Sequence, residues 1–454
     1  MKEQQTMIIY NVFPLLAGPF SKWEPHLQRA ASMGFNWIFV NPIQLPGESG
    51  SLYSISDYFS INPLLVDEES EKAPEEQVKE MTATARKLGF RVMVDLVINH
   101  CAHDSELLKE HPEWFMWEHG HVVHPSCDEN GQRVVWGDLA KFNHRHSSER
   151  DGMVEFFFKG IKYLLDLGFD GFRCDAAYQI PRDIWERLIR KTRKINPDTM
   201  FFAETLGCTA ERTRRTSEAG FDYIFNSSKW WDFYSPWLME QYDLTREIAP
   251  SISFPESHDT IRLFDELNGN KRGMKQRYLF AALFSSGVMM PMGFEYGFRK
   301  KPHVVKTRPH DWEKPNIDLT EFIKKVNEIK NTYKIFQQEA PTRIYHSDNP
   351  NILLVWKGSL KTKDEALIIL NKDIWSSQHF YSHNLQDYVQ SREELKDVSV
   401  EYPVNYIPQP FVYDLNPGQG LIMVTQIIEK DEEEYEEGKE IKASLESAEK
   451  TAVK

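Results

Sequence analysis

Short apolar runs rich in β-branched and aromatic residues alternate along this chain with stretches whose apolar positions recur every three to four residues, the two periods of strands and helices. Residues 7–13, 37–40, 91–97, 171–175, 200–205, 222–226, 251–256 and 288–293 read as strands. Helical patterns fill 24–33, 74–88, a stretch starting near Asp151, another from Pro181, and 319–333. Eight strands with helices between most of them predict an α/β fold, a parallel (β/α)8 barrel whose site lies at the C-terminal ends of its strands. The longest gap between elements, 100–147, is rich in His, Trp and polar residues and predicts a small subdomain inserted after the third strand.

Beyond 335 the texture changes to alternating β-prone runs, such as Ile352-Leu353-Leu354-Val355-Trp356 and Ala366-Leu367-Ile368-Ile369-Leu370. Residues 1–335 are therefore expected to form the barrel, and 336–428 a separate antiparallel β domain of sandwich type. Residues 429–454 hold a block of acidic side chains with few apolar ones, the composition of a solvated, disordered tail.

Composition narrows the function. At 454 residues, 41% of them hydrophobic, the chain can bury a large core and one further small domain. Its net charge of −14, with no basic stripe, argues against a nucleic-acid partner, which needs a cationic surface. The first residues, Met1 to Thr6, lack an apolar targeting segment, and no apolar run is long enough for a membrane span. Four cysteines without a CxxC pair suit a reducing compartment, so a cytoplasmic enzyme is expected.

The chemistry centres on Gly171-Phe172-Arg173-Cys174-Asp175. Side chains alternate across a strand, so Arg173 and Asp175 share one face and Phe172 and Cys174 the other. Charges pointing inward are tolerated where they pair or line a site, and Arg173 is placed to hold Asp175 ionised. Taken alone, such a pair is equally a structural ion pair at a strand end. Three more strand ends also carry reactive groups, with Asp95 and His100 after the third strand, Glu204 on the fifth, and His258-Asp259 after the seventh.

These segments resemble the short sequence regions of the α-amylase family, glycoside hydrolase family 13. Its D-x-x-x-N-H pattern matches Asp95 to His100, G-F-R-x-D matches Gly171 to Asp175, the strand-five glutamate matches Glu204, and a final H-D matches His258-Asp259. Gly50 to Tyr58 is similar to its G-x-Y-x-x-x-D-Y turn, and Trp136-Gly137-Asp138-Leu139 fits the inserted subdomain. The resemblance implies Asp175 as nucleophile, Glu204 as general acid/base and Asp259 as a transition-state-stabilising carboxylate. It implies further that Tyr53, Asp95, His100, Arg173 and His258 frame the sugar, with Tyr53 stacked on its ring. The substrate implied is an α-glucan or maltooligosaccharide, and the bond cleaved α-glucosidic. Asp175 and Glu204 end neighbouring strands, about 4.8 Å apart, which suits the separation of about 5 Å between carboxyls of a retaining glycosidase.

The pattern departs from the family in places. Ser257 stands where an Asn is usual, and Tyr178-Gln179 where many α-amylases have Lys-His for the acceptor side. No cofactor is expected, calcium being the one candidate, with Asn99 and Asp138 falling where calcium-dependent members place ligands. His111 to Phe115, 50–63 and Glu295 to Phe298 give a partial likeness to bacterial maltosyltransferases, which extend α-1,4-glucan from maltose 1-phosphate, so transfer is the second reading. An inactive glucan-binding subunit is the third, disfavoured because none of the three acids is missing. Cys101, His103, His121, His124 and Cys127 invite a zinc reading, but their spacing fits no standard site. Trp230, Trp231, Phe233, Tyr234 and Trp237 divide between core packing and platforms for sugar rings.

Overall fold

The computed structural model describes residues 6–129, 132–359 and 363–425. The expected acidic tail, 429–454, lies outside the described residues. Eight parallel strands close a barrel: β1 (Met7–Val12), β2 (Trp37–Val40), β3 (Arg91–Leu96), β4 (Gly171–Cys174), β5 (Met200–Glu204), β6 (Tyr223–Phe225), β7 (Ser251–Ser253) and β8 (Gly287–Pro291). They pair in chain order, with β8 returning to β1. A principal helix follows each strand: α1 (Glu24–Ser32), α2 (Pro74–Lys87), α3 (Arg150–Asp166), α4 (Arg182–Ile195), α5 (Ala210–Ser217), α6 (Trp237–Thr245), α7 (Lys271–Phe284) and α8 (Thr320–Thr332).

Alternation along the strands sorts the core into two layers. Val92, Val94 and Leu96 of β3, Phe172 and Cys174 of β4, and Phe201 and Ala203 of β5 join the large cluster beneath the helices. Met93 and Phe202 fill the barrel interior with Met7, Ile9, Trp37, Phe39, Tyr223 and Met289. Each large apolar side chain so buried contributes roughly 1.5–3 kcal/mol. The β4 glycine has a steric reason: a Cβ on Gly171 would lie 2.8 Å from the Met200 carbonyl oxygen and 3.2 Å from the Phe202 ring. Register places Arg173 beside Asp95 on one side and Phe202 on the other. The next inward positions up the barrel, Asp175 and Glu204, therefore emerge together above the apolar plug.

The expectation that Glu256 to Asp259 ends a strand is corrected. β7 stops at Ser253, and the four residues lie in the loop above it, because Pro255 has no N–H to offer the sheet. Among the described residues the insert between β3 and α3 holds three antiparallel strand pairs, one joining His100–Ala102 to Leu139–Lys141.

After the barrel come β9 (Thr342–Tyr345), β10 (Ile352–Gly358), β11 (Glu365–Asn371), β12 (Gln378–Ser382), β13 (Leu395–Asp397), β14 (Phe411–Leu415) and β15 (Gly420–Thr425). Five form an antiparallel sheet in the order β9-β10-β11-β15-β13, and β12 pairs with β14 as a separate ribbon. One face of the sheet, including Leu353, Val355, Ile368 and Ile422, packs into the barrel's outer core. The other, including Leu354, Trp356, Ile369 and Met423, packs with Phe380 and Phe411 of the ribbon. Among the described residues no helix is long and apolar enough to cross a membrane.

Candidate active site

Arg173 is the organising cation. Its Nη1 donates to Asp95 Oδ1 at 2.7 Å and to Asp175 Oδ1 at 2.8 Å, and its Nη2 lies 3.8 Å from Glu204 Oε2. With its side chain only 5% exposed, it lies beneath the carboxylates and fixes their positions. Asp175 and Glu204 are the more open pair, at 14% and 12%. Asp259 stands at the rim with 57% of its side chain open.

Three carboxylates share this one guanidinium, and uncompensated charge is costly when buried. Burial therefore pushes the Glu204 carboxyl up to about 7, Arg173 opposing the shift and the Asp175 charge adding to it. Burial likewise raises Asp95 to about 6 against the pull of Arg173. Glu204 is oriented by backbone: Oε2 accepts from Ala176 N–H at 2.7 Å and Oε1 from Leu206 N–H at 3.2 Å. Ala176 follows Asp175 directly and has φ of 44°, a left-handed conformation that costs an L-residue energy. The sharp turn after β4 thus presents one N–H to the carboxylate of β5.

The opposite wall comes from the hairpin of Gln44–Pro46 and Ile55–Ile61. Tyr58 of that hairpin donates to the carbonyls of Val97 and His100, each at 3.0 Å, which ties it to the end of β3. Tyr53 Oη donates to Asp95 Oδ2 at 2.7 Å and accepts from Asn41 Nδ2 at 2.9 Å. His258 Nε2 lies 2.8 Å from Tyr53 Oη and 2.9 Å from Asp259 Oδ2. Since the phenol hydrogen goes to Asp95 and Asp259 only accepts when ionised, Nε2 carries the hydrogen. Burial raises Asp259, but the charge and hydrogen bond of His258, with Arg173 and Lys301, outweigh it and hold the carboxyl below the usual range. The rings of Tyr53 and His258 stack at 5.9 Å, 9° from parallel. His100 Nε2 and His258 Nδ1 are buried and have no hydrogen-bond partner among the described residues.

The structure brings Asp175, Glu204, Asp95, Arg173, Tyr53, His258 and Asp259 into one connected network. Ser257 takes part in shaping the loop: its hydroxyl accepts from Asp259 N–H at 3.2 Å, and its own N–H donates to Thr260 Oγ1 at 3.0 Å. Sequence reasoning missed Asn41, the backbone of Ala176, and the pair Glu256–Arg262. That pair, at 2.7 Å with both side chains 1% exposed, pins the Asp259 loop, while Arg262 Nη2 donates at 2.9 Å to the carbonyl of Met292, the residue after β8. The opposite charges of Glu256 and Arg262, six residues apart, were the available signal.

Asn99 spends its amide on Gln179 Oε1 at 3.3 Å, and the Asp138 carbonyl accepts from His103 N–H and Ser54 Oγ. His103 and His124 have ring centroids 5.7 Å apart, and the Cys101 thiol is buried. No group of three or more His, Cys, Asp or Glu side chains suited to a metal exists among the described residues. Of the aromatic cluster, Trp231 and Phe233 are buried, whereas Trp230 and Tyr234 are open.

The fold is a (β/α)8 barrel with Asp95, Arg173, Asp175 and Glu204 gathered at the C-terminal ends of its strands. The resemblance to the α-amylase family, with its partial likeness to the maltosyltransferases, is borne out by the comparisons. Residues 3–118 match the family described as glycogen debranching enzyme, glucanotransferase domain. An alpha-1,4-glucan:maltose-1-phosphate maltosyltransferase of Burkholderia pseudomallei is 24% identical over 374 residues, 79% of this chain and 32% of that protein. A cyclomaltodextrinase of Geobacillus thermopakistaniensis is 23% identical over 374 residues, 76% of this chain and 61% of that protein. The chain thus spans less than two thirds of the length of these relatives. An alpha-amylase from Lactobacillus plantarum superposes with a TM-score of 0.73 at 19% identity, covering 93% of this chain and 99% of that one. The Geobacillus thermoleovorans alpha-amylase, solved with acarbose, gives 0.74 at 15%, covering 94% and 100%.

Proposed function

We propose that the chain is a retaining, α-glucan-active glycoside hydrolase of the α-amylase type. The observation that carries this reading is the pairing of Asp175, bonded to Arg173, with Glu204, which burial keeps protonated up to about pH 7. Asp175 attacks the anomeric carbon and the glycosidic C–O bond breaks, while the proton of Glu204 passes to the departing oxygen. A covalent glycosyl-enzyme on Asp175 results. Water then gives a proton to Glu204 and attacks the same carbon, releasing Asp175 with the α configuration restored. Asp259 stabilises the cationic transition state, and His100 and His258 offer their free nitrogens to sugar hydroxyls. Both steps use side chains of this chain alone, so no cofactor is assigned. Residues 1–335 are read as the catalytic unit and 336–428 as its β domain, in a cytoplasmic protein acting on maltooligosaccharide or glycogen-like glucan.

Transfer is the second reading, favoured by the maltosyltransferase relatives. It uses the same glycosyl-enzyme with a sugar hydroxyl in place of water. Product analysis by mass spectrometry and proton NMR, with maltooligosaccharides in the presence and absence of maltose 1-phosphate, separates the two. Shortened products whose first-formed anomer is α support the hydrolase. Chains lengthened by two glucose units only with the phosphate support transfer, and a first-formed β-anomer contradicts both.

A further inference from the structure

Two asparagines extend the polar tier of the barrel into its first two strands. Ile9 of β1 and Phe39 of β2 belong to the apolar plug, and alternation makes Asn11 and Asn41 the next inward positions. Both side chains are fully buried. A buried amide is tolerated when its hydrogen bonds are made, and here the bonds form one line. Asn11 Nδ2 donates to the Phe39 carbonyl at 3.1 Å and to Asn41 Oδ1 at 3.0 Å, and Asn41 Nδ2 donates to Tyr53 Oη at 2.9 Å. Tyr53 Oη meets Asp95 Oδ2 at 2.7 Å and His258 Nε2 at 2.8 Å.

The line runs in one direction only. A backbone carbonyl accepts and never donates, so the end of Asn11 beside Phe39 is its NH2. Asn11 Oδ1 goes without a partner among the described residues in consequence. The same NH2 faces Asn41, whose near atom is therefore its oxygen and whose own NH2 turns to Tyr53. Reversing Asn11 would set two acceptors against each other, and reversing Asn41 two donors, each at the cost of an unmade buried bond. Asn41 and His258 Nε2–H then occupy the two acceptor positions of the phenol oxygen, and Asp95 is left as the destination of its hydrogen. The neutral His258 ring keeps a lone pair on Nδ1, which is buried and has no partner among the described residues.

We propose that Asn41, set in turn by Asn11, is a positioning residue that acts through Tyr53: it aims the phenol hydrogen at Asp95 and so fixes the direction of the hydrogen bonds around the sugar site. The proposal rests on the glycosidase reading above. A side chain that merely filled the space at 41 would leave the hydroxyl to turn between Asp95 and His258.

Neutron diffraction from deuterium-exchanged crystals of the wild-type protein reads the direction itself. Two deuterium atoms are expected on Asn41 Nδ2, and the phenol deuterium on the line to Asp95 Oδ2. A phenol deuterium pointing to Asn41 or to His258 overturns the assignment. Activity gives the second arm. In Asn41→Asp the carboxyl donates to Tyr53 when protonated, as the amide does, but when ionised it only accepts and takes the phenol hydrogen from Asp95. Its kcat/KM on maltohexaose, relative to wild type at the same pH, is expected to fall about tenfold between about pH 5 and about pH 8. Asn41→Leu, which has no polar atom to titrate, is expected to stay about tenfold below wild type at both. A pH-independent ratio in Asn41→Asp, or an Asn41→Leu variant as active as wild type, overturns the role and leaves the glycosidase reading intact. A wild-type protein that does not turn over maltohexaose overturns the glycosidase reading, and the deuterium positions then decide the direction of the line by themselves.

Discussion

The N–H of Ala176 donates to Glu204 Oε2 at 2.7 Å, so the residue next to Asp175 holds the Glu204 carboxyl. The pH dependence of the rate is expected to report the titration of Glu204. Glu204 ordinarily titrates at 4.5 and is raised to about 7, chiefly by burial. Activity is expected to fall as pH rises through about 7, where the acid loses its proton. Stability follows the same sign: above 4.5 the unfolded chain releases this proton while the folded one keeps it, so the contribution declines between 4.5 and 7. The wild-type Tm should drop more across that window than that of Glu204→Gln. Equal slopes for the two proteins would contradict the assignment.

The Glu256–Arg262 pair gives a stability prediction. Removing one partner of a buried ion pair costs about 3–5 kcal/mol, because the other charge is left uncompensated. Arg262→Met should destabilise by that order in urea unfolding and also lower kcat, since the loop carrying Asp259 loses its tie to Met292. Adding Glu256→Gln should recover part of the stability. A variant as stable as wild type would show that the loop is held by other contacts.

The barrel was legible because each strand is a short apolar run and the inward position after the apolar plug is occupied by a charged residue in β3, β4 and β5. Alternation alone put Arg173 and Asp175 on one face. The place of Tyr53 was not readable in the same way. Its hydroxyl meets Asn41, Asp95 and His258, which come from three separate segments, and no local period connects them. The loop position of Glu256 to Asp259 escaped because 251–256 continues the strand pattern past the point where Pro255 ends the pairing. Arg262 looked like an ordinary loop cation, its partner six residues away and its carbonyl acceptor thirty.

The histidines and cysteines of the insert make a metal prediction. His103 and His124 are 5.7 Å apart by ring centroid, Cys101 is buried with its thiol toward the Ala102 carbonyl, and burial pushes that thiol well up. Elemental analysis of the purified protein is expected to find no stoichiometric zinc, and activity should survive chelation. One zinc per chain would overturn this.

The covalent intermediate is the claim on which hydrolysis and transfer both depend. A 5-fluoro-α-glucosyl fluoride should load the nucleophile and release it slowly, because the ring fluorine destabilises the cationic transition state of both steps. Peptide mass spectrometry of the inactivated protein is then expected to find one glycosyl adduct, on Asp175, and none in Asp175→Asn. An adduct on another residue, or the same adduct persisting in Asp175→Asn, would contradict the account.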